Sequence, residues 1–162
     1  MTTKETMTTE AIKVLLVEDS VAEARLLYEG LTEALPADFQ MAHVRQLSEA
    51  LEWLWAERCD VILLDLGLPD SHGLATLTLT RAQVPKVPIV VLTGFDDEAV
   101  AVQALEQGAQ DYLVKGQADG KLLARSLRHA VVRRQLEEAL VQQLAVTSAR
   151  AEELQRSRQR LI

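Results

Sequence analysis

Short apolar runs rich in branched side chains recur along this chain, and each stops at a polar residue. Ile12-Lys13-Val14-Leu15-Leu16-Val17 stops at Glu18-Asp19-Ser20, Val61-Ile62-Leu63-Leu64 at Asp65, and Ile89-Val90-Val91-Leu92 at Thr93-Gly94. Such runs are too short for helices and read as buried strands. Between them the period changes. Ser20 is a good helix N-cap, and Ala24, Leu27, Leu31 and Leu35 follow at helical spacing as far as Pro36. Phe39 to Val44 reads as a short strand. Leu47, Ala50, Leu51 and Leu54 make the inner face of a second helix, capped by Ser48 or a neighbour; Trp55, four residues after Leu51, is expected on that face and Trp53 off it. Leu74 to Thr80 alternates in a way that alone favours a strand, but the fully apolar strands on either side need a crossover, so a helix is expected. Asp96-Asp97-Glu98 begin a helix that runs to Gly108, and Tyr112-Leu113-Val114 is a last strand ending in Lys115-Gly116. Five strand–helix units in alternation predict an α/β fold, a doubly wound parallel sheet with right-handed crossovers. Glu18, Asp19, Asp65, Thr93 and Lys115 then all fall at C-terminal strand ends, where open parallel sheets form their ligand crevices.

Composition narrows this picture. The chain has 162 residues, 48% of them hydrophobic, enough for one domain with its own core and a modest extension. Residues 1–10 form a polar tail, expected to be disordered, with Met7 a possible alternative start. The net charge of -7 argues against non-specific nucleic-acid binding. It is unevenly spread: residues 1–117 carry 8 basic and 19 acidic side chains, net -11, and residues 118–162 carry 9 and 5, net +4. That shift marks a boundary, and the expected division is a globular domain over 11–130 followed by a helical extension over 131–162. A single cysteine, Cys59, leaves no internal disulfide and fits a reducing compartment. No apolar run approaches the roughly 20 residues of a membrane span, and no signal-peptide core is present, so a cytoplasmic location without membrane partners is expected.

The candidate chemistry follows from the strand ends. If Asp19 and Asp65 stand on neighbouring strands at a topological switch point, their charges repel by roughly 4 kcal/mol at about 4 Å and an effective dielectric near 20. With Glu18 added, the cluster needs a cation. Lys115 supplies one ammonium, and hard oxygen ligands with room for water suit Mg²⁺. Such a site is suited to a phosphoryl group, with an ionised carboxylate as in-line nucleophile. Other α/β readings fail at specific positions. A dinucleotide or flavin site wants a glycine- or hydroxyl-rich loop where Glu18-Asp19 stands, no P-loop is present, and a haloacid-dehalogenase-type phosphatase would need Asp at position 67, which is Gly. His43, His72 and His129 lack metal-ligand spacing and are expected in structural or surface roles.

Val17-Glu18-Asp19, Asp65-Leu66-Gly67-Leu68-Pro69-Asp70 with Gly73, Leu92-Thr93-Gly94 and Asp111-Tyr112-Leu113-Val114-Lys115, in this order and spacing, resemble the receiver domain of bacterial two-component response regulators over residues 11–130. The resemblance implies a flavodoxin-like sheet order 2-1-3-4-5. It implies Asp65 as phosphoacceptor, and Glu18, Asp19, Asp65 and the Gly67 backbone carbonyl as the Mg²⁺ ligands. Thr93 would be the switch hydroxyl, Lys115 the cationic partner of the phosphoryl group, and Tyr112 the aromatic that moves with Thr93. The implied phosphodonor is a histidine kinase or phosphotransfer protein, and the chain is otherwise not an enzyme. The family usually has proline after the lysine; here it is Gly116, which puts a cis peptide at that position in doubt. Gly67 and Phe95 hold the positions that tune hydrolysis in the family and cannot orient water, so slow autodephosphorylation is expected.

From Lys121 to Ile162 there is neither glycine nor proline, consistent with one helix of about 63 Å. Leu123, Leu127 and Val131 suit packing on the sheet. Leu140, Thr147, Leu154 and Leu161 then repeat every seven residues with Leu144 and Ala151 between them, a coiled-coil seam weakened by Arg158 and preceded by a phase slip near Leu136. A homodimer through this helix is expected, and an uncapped end at Leu161-Ile162 suggests a truncated chain or the front of a larger protein with an output domain. The alternative is a non-phosphorylated scaffold that uses the fold and coiled coil for assembly. A third reading, His129 as phosphodonor, lacks the adjacent acid such a histidine needs.

Overall fold

The computed structural model describes residues 11–34, 39–94 and 98–160. Five strands, β1 (Ile12–Val17), β2 (Phe39–Val44), β3 (Val61–Asp65), β4 (Ile89–Thr93) and β5 (Asp111–Val114), alternate with helices α1 (Val21–Ala34), α2 (Leu47–Ala56), α3 (Leu74–Gln83), α4 (Glu98–Glu106) and α5 (Gly120–Arg160). All neighbouring strands pair in parallel, in the order β2-β1-β3-β4-β5. The central β3 and β4 are buried at every position, which is why both read as unbroken apolar runs rather than alternations.

Successive strand residues point to opposite faces, so the core has two halves. On one, Leu16, Leu63 and Leu92 meet Leu31 of α1 and Leu123 and Leu127 of α5. On the other, Leu15, Ile62 and Val91 meet Ala50 of α2, Leu77 of α3 and Ala104 of α4. Sequence and structure agree on α3 as a helix: its inner face is Thr76, Leu77 and Thr80, a helical spacing disguised by two buried hydroxyls. Both are satisfied, Thr80 by donating to the Thr76 carbonyl at 2.8 Å and Thr76 by sharing a 2.6 Å bond with Ser71.

Two local expectations are corrected. Trp55 is 85% exposed, whereas Trp53 packs against the α2–α3–α4 half of the core. The two rings lie on opposite flanks of the Leu47–Ala50–Leu54 stripe, each roughly 100° from its centre, so helical spacing alone does not choose between them. Nor does Ser48 cap α2: Gln46 holds the N-cap position without a side-chain bond, and the Asp70 carboxylate caps the helix instead. Ser20 does cap α1, its hydroxyl accepting the Glu23 N–H at 3.2 Å. Leu35, Pro36, Phe95, Asp96, Asp97, Leu161 and residues 1–10 lie outside the described residues.

The chain divides into two compact units, Met1–Val131 and Val132–Ile162. In the second unit the described residues form a single run of helix that exposes Leu136, Leu140, Val141, Leu144, Val146 and Leu154; Thr147 and Ala151 are exposed as well. Leu161 falls outside the description. Among the described residues no helix is long and apolar enough to cross a membrane.

Candidate functional site

β1 and β3 pair side by side while their connections leave for opposite sheet edges, so the switch point lies between them. The last ladder residues, Val17 and Leu64, are partners, which delivers Glu18, Asp19 and Asp65 to one end of the sheet. β4 brings Thr93 to the same end through the Asp65↔Leu92 register, and β5 brings Lys115, whose N–H donates to the Thr93 carbonyl at 2.7 Å. Tyr112, half-buried on β5, packs against the α2–α3–α4 half of the core.

One carboxylate oxygen each from Glu18, Asp19 and Asp65 lie within 4.8 Å of one another. Lys115 Nζ stands 2.6 Å from Glu18 Oε2 and 3.0 Å from Asp65 Oδ2. Asp65 Oδ1 accepts the Gly67 N–H at 2.9 Å, so the nucleophile candidate is held at both oxygens. Glu18 is fully buried; its Oε1 accepts the Ser20 N–H at 3.3 Å, while Oε2, in ionic contact with Lys115 but poorly angled to it, has no hydrogen-bond partner among the described residues. Burial pushes the Glu18 carboxyl up to about 7, with Lys115 opposing and the Asp65 charge adding to the rise. Burial works to lower the Lys115 pKa, but the contacts with the Glu18 and Asp65 carboxylates outweigh it and hold the ammonium above its ordinary value.

Three acids against one lysine leave the cluster two negative charges in excess when all are ionised, with a buried oxygen that lacks a hydrogen bond among the described residues. An octahedral Mg²⁺ places its oxygens roughly 3 to 4 Å apart, which this spacing accommodates. The residues therefore fit a hard divalent cation.

Sequence reasoning placed Glu18, Asp19, Asp65, Thr93 and Lys115 at one end of the sheet, and the structure brings them there. Of the residues that brace them, sequence reasoning gave His43 a structural or surface role, quoted Asp70 only within the family motif and assigned Arg45 nothing. His43 Nε2 donates to the Glu18 carbonyl at 2.7 Å, Arg45 Nε to the Asp19 carbonyl at 3.1 Å, and Asp70 accepts the Leu47 and Ser48 N–H groups at 2.8 and 2.9 Å. At Gly116 the structure has φ +81°, open to glycine and closed to proline, and no described peptide bond is cis.

Comparison with known proteins agrees with this geometry. Residues 14–126 match the family described as "Response regulator receiver domain". The probable transcriptional regulatory protein SilR of Salmonella typhimurium is 34% identical over 114 residues, covering 70% of this chain and 49% of that protein. The swarming motility regulation protein RssB of Serratia marcescens is 36% identical over 114 residues, 70% of this chain and 51% of its own length. This chain thus spans about half the length of these relatives, and less of others. Among solved structures, the signal receiver domain of a putative Luxo repressor protein from Vibrio parahaemolyticus superposes with TM-score 0.70 at 27% identity, covering 80% of this chain and 97% of that one. A receiver domain of a signal transduction histidine kinase from Syntrophus aciditrophicus gives 0.64 at 31% identity, covering 75% and 91%. With the matched span containing all of the sheet but the first two residues of β1, and every side chain of the acidic cluster, the chain belongs to the response regulator receiver family.

Proposed function

We propose that this chain is a phosphorylation-dependent switch of a two-component system, with Asp65 as phosphoacceptor. The observation that carries the reading is the convergence of three carboxylates on Lys115 at the switch point of the sheet. Glu18, Asp19, Asp65 and the Gly67 carbonyl would hold Mg²⁺, which when bound neutralises phosphoryl oxygens. An Asp65 carboxylate oxygen attacks the phosphorus of a phosphohistidine on a histidine kinase or phosphotransfer protein. The P–N bond breaks, and its electron pair leaves with the imidazole. Lys115 Nζ balances the oxygens that gain charge, and Thr93 donates its hydroxyl to one of them, with Tyr112 following Thr93 inward. Hydrolysis then breaks the P–O bond to Asp65 and restores the carboxylate.

The test uses a small phosphodonor, phosphoramidate, with Mg²⁺ and the whole chain. One hydroxylamine-labile phosphoryl group per chain is expected, lost in Asp65→Asn and kept in His129→Gln; labelling that survives Asp65→Asn would overturn the assignment. Because Gly67 carries no side chain to orient water, the phosphoryl group is expected to last minutes or longer, and decay within seconds would count against slow autodephosphorylation. We further propose that the exposed Leu140, Leu144, Thr147, Ala151 and Leu154, with Leu161, form a dimer seam that passes the signal to an output domain or partner. The non-phosphorylated scaffold predicts no labelling at all.

A further inference from the structure

We infer that the end of β2 and the start of α2 clamp the two acidic loops together through three positioning residues, His43, Arg45 and Asp70. The inference rests on the reading of the site as a cation and phosphoryl site.

The β1–β2 ladder ends where the Glu18 N–H donates to the Val44 carbonyl at 3.0 Å. Beyond that bond the backbone turns away from β2, and the Glu18 and Asp19 carbonyls have no strand to accept from. Backbone groups this close to the core need partners. His43 near the end of β2 and Arg45 just beyond it supply them at 2.7 and 3.1 Å. The two bonds fix the peptide planes on either side of the Asp19 Cα. An aspartate has only two side-chain torsions, so fixing its backbone largely fixes where its carboxylate can reach.

The same segment grips the other loop two residues later. Asp70 Oδ1 and Oδ2 accept the Leu47 and Ser48 N–H groups at 2.8 and 2.9 Å, capping α2 from outside it. Asp70 belongs to the loop that leaves Asp65, and that loop is braced within itself. Gly73 N–H donates to the Leu66 carbonyl at 2.8 Å, and Leu68 N–H to the Ser71 carbonyl at 3.1 Å. A cleft of about 250 Å³ lined by Asp19, Arg45, Gln46, Glu49 and Pro69 separates the two loops. Across this cleft the segment from Arg45 to Ser48 joins them, in addition to Lys115, which bridges Glu18 and Asp65 directly.

Repulsion among the three carboxylates, only partly offset by Lys115, favours splaying of these loops, and the clamp adds to Lys115 in opposing it before any metal arrives. Groups that orient metal ligands in this way typically govern affinity about 10- to 100-fold. His43, Arg45 and Asp70 are exposed, so truncating them leaves the core intact.

The experiment is calorimetric titration of the whole chain with Mg²⁺ alone, beside thermal unfolding in EDTA. His43→Ala, Arg45→Ala and Asp70→Ala are each expected to weaken Mg²⁺ binding about tenfold. His43→Gln and Asp70→Asn, which keep a donor and a helix cap, are expected to recover most of it. Arg45 and Asp70 act in series, so the double truncation is expected to weaken binding little more than either single one. Alanine variants that bind within twofold of the parent, or a double variant whose loss is the product of the single losses, would overturn the clamp. A parent chain that binds no Mg²⁺ would remove the site reading itself, and the clamp with it.

Discussion

Glu18 is the residue at which burial and charge compete most openly. It is fully buried beside Lys115, yet its carboxyl is pushed up to about 7 because desolvation outweighs that contact. A carboxyl whose folded pKa exceeds its unfolded value of 4.5 contributes stability that is complete below 4.5 and is lost as pH rises through about 7. The metal-free chain is therefore expected to lose stability between pH 4.5 and about 7, read as a falling urea midpoint in EDTA. Glu18→Gln should flatten that slope, and a parent midpoint that rises across the window would refute the account. Asp70 works the other way: backbone bonds from Ser48 and Leu47 hold its carboxyl below the usual range, so its share is lost only in stronger acid. The difference in how readily these residues are found in the sequence follows from their chemistry. Glu18, Asp65, Thr93 and Lys115 each interrupt an apolar run, and an interruption is visible. His43, Arg45 and Asp70 act on backbone atoms of loops distant in sequence, and no side-chain pattern announces that.

Helices were legible where their inner faces are apolar and ambiguous where they are not. α3 looked like a strand because Thr76 and Thr80 sit on its buried face, and only the need for a crossover between β3 and β4 decided it. On α2 the stripe was clear but the tryptophans flanking it were not, because spacing gives an angle and not the neighbour that the angle meets. A third feature had no sequence signal. α1 and the start of α5 approach backbone to backbone at Gly30 and Gly120: a Cβ on Gly120 would clash with the Gly30 carbonyl oxygen, whereas one on Gly30 would meet the Gly120 Cα at 3.3 Å. Gly120→Ala must push two main chains apart and is expected to cost about 1 to 3 kcal/mol. Gly30→Ala meets milder crowding and gains about 1 kcal/mol of helix propensity, so it is expected to be near neutral. Urea unfolding of both variants checks this ordering, and equal costs would show that the helices adjust freely.

At the scale of the molecule, the exposed residues of the C-terminal helix bear on stoichiometry. The helical residues of the second unit present an exposed leucine row, and a helix with an unpaired apolar stripe gains most of its stability from a partner. Thr147, Ala151 and Arg158 interrupt the seam, so self-association through it is expected to be weak enough for a second influence to tip. Light scattering of the whole chain, first with Mg²⁺ and then with beryllofluoride as an aspartyl-phosphate mimic, separates two mechanisms. A monomer that becomes a dimer would mean that Asp65 chemistry controls assembly. A dimer under both conditions would mean that the helix holds the pair throughout, so that a signal must travel as a change in helix geometry. Leu144→Lys, which puts an ammonium in the seam, is expected to give monomer in either case while leaving Asp65 labelling unchanged. A dimer that persists in Leu144→Lys would move the interface off this helix altogether.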